Sequence, residues 1–161
     1  MKIAKISALI MVSVLLLCGC SDGIELDGGR WYIDDINNTV RTVASFDEES
    51  GMLQVSYVLI DEGRAERTGV DGLQYVFEEY YFKDFGKNIP AKYNDGALDE
   101  YAFAVYHSKE ELKSDENASV TYYHFEDKNL VVNGNECIFL EGVLAEETDK
   151  IIARNKAAIG E

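Results

Sequence analysis

Proline, histidine, tryptophan and basic charge are all scarce in this chain. A single proline, Pro90, among 161 residues excludes proline-rich linkers and polyproline recognition segments. Two histidines, His107 and His124, leave little from which to build an imidazole metal site. HExxH, EF-hand, P-loop, GxGxxG and GxSxG patterns are all absent. Lysine and arginine number 15 against 30 aspartates and glutamates, a net charge of −15 with both histidines neutral. Such a field repels nucleic acid and anionic headgroups, so no nucleic-acid partner is expected, and a cationic protein is the macromolecule it attracts most readily. No apolar run reaches the eighteen or so residues of a membrane-spanning helix.

Aromatic residues, by contrast, are plentiful. Ten tyrosines and seven phenylalanines within a 47% hydrophobic composition describe an ordered chain that leans toward strands. The length fits one domain with its own core.

The first twenty residues differ from the rest. Lys2 and Lys5 form a positive start, Ile6 to Leu17 an apolar run interrupted only by Ser7 and Ser13, and Leu17-Cys18-Gly19-Cys20 follows. The run has the length of a secretory signal core. Its end resembles the lipobox of bacterial lipoproteins, in which a Leu stands three residues before a Cys that is preceded by a small residue. The resemblance implies cleavage before Cys20 and lipidation of its sulfur. Cys18 is the weaker candidate, because the residue before it is Leu17, whereas Gly19 precedes Cys20. Several acyl chains hold a protein to a bilayer stably, where one holds it marginally. Ser21, in place of Asp, resembles the sorting pattern for release to the outer membrane in organisms that have one. The expected location is therefore the bacterial cell envelope, on the periplasmic leaflet or surface of the outer membrane in such an organism.

Cleavage removes residues 1–19 with Lys2 and Lys5, so 13 basic side chains then face 30 acidic ones and the net charge falls to −17. Cys137 becomes the only free thiol, and its apolar setting in Glu136-Cys137-Ile138-Phe139-Leu140 reads as structural. Residues 20–29, three of them glycine, read as a flexible tether, and residues 30–161 as a single β-rich domain.

Alternation predicts strands at Trp31–Ile33, Thr39–Phe46, Met52–Ile60, Ala65–Val70, Leu73–Lys83, Tyr101–His107, Ser119–Phe125, Leu130–Val132 and Glu136–Leu140. Asp71-Gly72 and Asn133-Gly134-Asn135 are turn signals, and Lys83–Asp99 is a long connection of the kind that forms lids, binding loops or flexible inserts. Ser108 caps a short helix before Asn117. Apolar residues Leu144, Ile151 and Ala158, beside Ala145, Ile152 and Ile159, predict an amphipathic helix over Glu146–Ala158, with Glu146, Glu147 and Asp149 at its positive end.

No nucleophile, base and orienting group come together in this pattern, so no catalytic residue, metal or cofactor is expected. Antiparallel pairing places His107 near Ser119 and His124 near Ala102, at two ends of one ladder. Glu78-Glu79 and Asp34-Asp35 are consecutive strand residues that point to opposite faces and cannot converge on one glycosidic bond.

Gly29-Arg30-Trp31, at the head of the first strand of an antiparallel chain ending in a helix, resembles the Gly-x-Trp of lipocalins and the wider calycin family. The resemblance implies an eight-stranded barrel, with Trp31 plugging one end and a late arginine packed on it, for which Arg154 is the counterpart. The family's Thr-Asp-Tyr motif is missing. The expectation is a mainly β domain, an antiparallel barrel-like or sandwich fold of about eight or nine strands with a C-terminal helix. Its expected role is that of a noncatalytic binding module, which binds or inhibits a basic protein of the lysozyme or toxin kind. The alternative is a calycin-like carrier of a small apolar ligand.

Overall fold

A computed structural model describes residues 25–61, 76–94, 96 and 101–160. Eight strands form a closed barrel in chain order: β1 (Arg30–Asp34), β2 (Val40–Asp47), β3 (Met52–Leu59), β4 (Val76–Gly86), β5 (Tyr101–Tyr106), β6 (Ser119–Glu126), β7 (Asn129–Val132) and β8 (Asn135–Phe139). Every neighbouring pair is antiparallel, and β8 returns to β1 through Trp31 opposite Phe139 and Tyr32 opposite Ile138. The fold is thus a barrel rather than a sandwich. Closure leaves no free sheet edge.

Alternation sends one side of each strand inward. Thr42, Ala44 and Phe46 of β2 share the interior with Leu53 and Val55 of β3, while Arg41, Val43 and Ser45 face out. Leu26, Trp31, Phe46, Leu53, Phe82, Phe103, Tyr123 and Leu130 form the buried core. Its aromatic members meet edge to face: Phe46 lies 5.2 Å from Phe82 and 5.4 Å from Phe103 between centroids. Such pairs add roughly 1 kcal/mol each beyond burial.

The two-residue turn at Asn133 and Gly134 has both φ angles positive, 50° and 77°, the primed-turn geometry that asparagine and glycine allow. β4 runs to Gly86, three residues past the predicted end at Lys83, with a register shift between Asp84 and Gly86. The predicted strand Ala65–Val70, the Asp71-Gly72 turn and the signal segment with Cys20 lie outside the described residues.

Two expectations about connecting segments are corrected. The flexible tether read over 20–29 does not extend to Gly29: Leu26 is fully buried, and Gly28 N–H donates to Phe46 O at 3.0 Å while Phe46 N–H donates to Gly29 O at 3.1 Å. The long connection after β4 is not a lid in its described part. Tyr93 and Lys92 bond to Asp115, and Tyr122 Oη donates to Tyr93 O, so residues 87–94 form a strap on the outside of the wall. The short helix α1 (Lys109–Ser114) has the expected cap, Ser108 Oγ accepting from Glu111 N–H at 3.2 Å.

The C-terminal helix α2 spans Gly142–Ile159, beginning four residues before the predicted start, so its first turn holds no acidic residue. Glu141 makes no side-chain capping bond, which is why the sequence carries no start signal. The centre of its buried face is polar. Thr148 and Asn155 are buried, Leu144, Ala145, Ile151 and Ile152 are half-buried, and the predicted stripe members Ala158 and Ile159 are exposed.

Candidate functional site

The barrel has two different ends. The Trp31 end carries the 48–51 and 127–128 turns, the chain entering at Leu26, and the exit into α2. The far end carries the 35–39 and 133–134 turns and the end of β3 at Leu59.

The Trp31 end is filled. Trp31 is 1% exposed; its ring contacts Phe46, Phe125 and Phe139 at 5.7, 6.0 and 5.5 Å, and its indole N–H donates to Lys128 O at 3.0 Å. That bond satisfies the one polar atom of an otherwise apolar plug. Tyr123 Oη donates to both Asp84 oxygens at 3.0 and 3.1 Å, and burial together with this carboxylate raises the tyrosine well above its ordinary pKa.

Above the plug lies an apolar cavity of about 190 Å3. Trp31, Phe46 and Phe103 are its aromatic side, and Leu53, Val55, Leu130 and Val132 its aliphatic side. Thr42 and Cys137 also line it. Burial first, and then Glu136, raises the Cys137 thiol above its ordinary pKa, which suppresses the nucleophilic thiolate.

Toward the far end, the inner face turns polar on β3 and β4. Val55 pairs across the strands with Glu78, and Leu53 with Tyr80. Tyr80 Oη donates to Glu78 Oε2 at 2.8 Å, and this bond is the main reason the Tyr80 pKa is raised. Tyr57 is raised too, by burial and then by the Glu78 charge. The His107 ring meets the Tyr80 ring at 5.6 Å. Consecutive Glu78 and Glu79 do diverge: Glu79, on the outer face, accepts from Gln54 Nε2 at 3.3 Å.

Arg154 is not brought to Trp31. Its guanidinium donates to Leu59 O at 2.6 Å and Ile60 O at 3.2 Å, at the far end of β3, while Trp31 plugs the other end. Asn155 completes this arrangement, accepting from Leu59 N–H at 3.0 Å and donating to Leu59 O at 3.1 Å. Its amide thereby serves the strand end as a neighbouring strand would. Arg41 is the second polar anchor of α2: it forms a forked pair with Asp34 at 2.7 and 2.8 Å, donates to Thr148 Oγ1 at 2.8 Å, and lies 4.1 Å over the Tyr32 ring. The Asp34 bond, the largest influence, raises the Arg41 pKa against its burial.

His107 and His124 stand at opposite ends of the β5–β6 ladder, whose register pairs Tyr101 with Tyr123 and Val105 with Ser119. His124 Nε2 lies 3.3 Å from Glu126 Oε1. Among the described residues, no three His, Cys, Asp or Glu side chains cluster as metal ligands, and no helix is long and apolar enough to cross a membrane.

The Asp115 hub outside the barrel was not foreseen from the sequence. Asp115 sits in the left-handed region at φ 55° as the C-cap of α1, and accepts from Tyr106 Oη at 2.6 Å, Tyr93 Oη at 2.7 Å and Lys92 Nζ at 2.6 Å. These donors hold its carboxyl far below the usual carboxylate range. Comparison of the chain with protein families, with curated proteins and with solved structures finds no match.

Proposed function

We propose that this domain is a noncatalytic binding module of the bacterial envelope, lipid-anchored through Cys20, which holds a small apolar ligand inside its barrel. The apolar cavity of about 190 Å3 beside Trp31 carries this reading. Dry cavities of about 150 Å3 with aliphatic and aromatic walls take up benzene, so the guest here is one ring with a short substituent. The eight-stranded closure with Trp31 as plug agrees with the calycin resemblance.

With Cys20 as the anchor, six residues, at most about 21 Å of extended chain, reach Leu26. The Trp31 end then faces the bilayer and the far end faces away from it.

Capture of a basic protein is the second reading, supported by the acidity around the Trp31 end. Glu48 there has its pKa raised by burial and then by Asp84, Asp27 and Glu25, the mark of crowded carboxylates. The same anchoring geometry turns that end toward the membrane, which leaves little room for a protein partner.

The test uses the full lipidated chain in phosphatidylcholine nanodiscs. Trp31 is the only tryptophan, so its emission reports on the cavity. Titration with 2-phenylethanol is expected to change it saturably, and Ala44→Leu, which fills the cavity, to abolish the change. A response that never saturates, or that Ala44→Leu leaves intact, would sink the reading.

A further inference from the structure

We propose that the cavity selects a small aryl-alkyl amine, with the ring seated between Trp31 and Val55 and the ammonium received by Glu78. The proposal rests on the cavity-binding reading above and names the ligand class for the same site.

Glu78 belongs to the inner face. Its cross-strand partner Val55 lines the cavity, and the next inward residue on β4, Tyr80, packs against the core. Directly opposed strand residues hold their Cβ atoms about 5 Å apart, so a two-carbon spacer carries an ammonium from a ring beside Val55 to the Glu78 carboxylate. Tyr80 Oη occupies one acceptor position on Glu78 Oε2, and a carboxylate has about four. Among the described residues, no lysine, arginine or histidine forms an ion pair with Glu78.

The half-buried Tyr80 bonds this carboxylate, and the half-buried Tyr57 lies near enough to feel its charge. The Tyr80 hydroxyl donates to Glu78 and so orients the carboxylate. The chain's net charge of −15 concentrates cations near the barrel and disfavours anionic analogues. An apolar pocket whose wall residue Val55 is paired across the strands with an oriented carboxylate thus suits a cationic head on an apolar body.

The experiment titrates three probes of matched shape, 2-phenylethylamine, 2-phenylethanol and 3-phenylpropionate, into the full chain in phosphatidylcholine nanodiscs, with Trp31 emission as the readout. The amine is expected to bind about tenfold tighter than the alcohol, the increment of one charge-assisted hydrogen bond, and the carboxylate to bind weakest. Glu78→Gln should lower amine affinity to that of the alcohol and leave the alcohol unchanged. Glu79→Gln, one residue away on the outer face, should preserve the preference. Equal binding of amine and alcohol, a Glu78→Gln effect common to both, or equal loss in Glu79→Gln overturns the amine proposal while cavity binding stands. Failure of all three probes to bind saturably overturns both.

Discussion

The indole of Trp31 folds back over the backbone of Gly29: a Cβ built on Gly29 would stand 1.9 Å from Trp31 Cη2 and 2.3 Å from Cζ3. This contact gives the Gly-x-Trp sequence its physical reason. Only a residue without a side chain allows the plug to lie against the chain that delivers it. Gly29→Ala is expected to destabilise the domain by about 2–3 kcal/mol, as overpacking of a close-packed core does. Urea unfolding followed by Trp31 emission measures it, and a loss under about 0.5 kcal/mol, the range of ordinary surface substitutions, would refute the tight contact.

The Arg41–Asp34 pair, with side chains 10% and 20% exposed, lies where α2 crosses the barrel wall. Asp34→Ala leaves the guanidinium buried without its counter-charge, and a loss of about 3 kcal/mol is expected. Adding Arg41→Met should restore most of that stability, since an apolar side chain needs no partner. If the double variant is no more stable than Asp34→Ala alone, an uncompensated charge is not the cause.

Asp115 imposes a pH dependence of definite sign. Its folded pKa lies below the ordinary 3.8, so the fold favours the ionised form. The stabilisation is complete above the ordinary value and declines as pH falls below it toward the folded pKa. Asp115→Asn should flatten this acid limb. It should also speed amide exchange in residues 87–94, which the Tyr93 and Lys92 bonds hold to the wall. Unchanged exchange there at neutral pH would show that the strap is held by its other contacts.

Cys137 is half-buried with its thiol pKa raised. Alkylation by N-ethylmaleimide at pH 7.5 is expected to be slower than for a free cysteine, because the raised pKa lowers the fraction of reactive thiolate. Saturating 2-phenylethanol should slow it further, since Cys137 lines the cavity. Mass spectrometry of the modified chain gives both rates, and alkylation as fast as free cysteine would place the thiol at the surface.

The barrel was legible where one strand face is consistently apolar. Leu53, Val55 and Tyr57 announce β3, and Asn133-Gly134 announces the last hairpin. Closure was not legible, because it depends on Trp31 meeting Phe139, residues 108 positions apart whose pairing no local pattern encodes. The polar seam under α2 was hidden for a related reason. Thr148 and Asn155 look like gaps in an apolar stripe until Arg41 and the end of β3 are seen beneath them. Glu78 was noticed only as half of an acidic pair; parity separated it from Glu79, and the Tyr80 bond gave it a direction.

Leu26 also determines where a pull on the anchor would be felt. A force drawn through Cys20 would arrive first at that buried side chain and at the bonds joining Gly28 and Gly29 to Phe46. From there it would pass into β1, which is paired on both flanks, by β2 and by β8. Tension would thus be spread sideways over two strands. Trp31 and Phe46 also line the cavity, so a domain tugged by its membrane would feel that pull in the wall of its binding chamber.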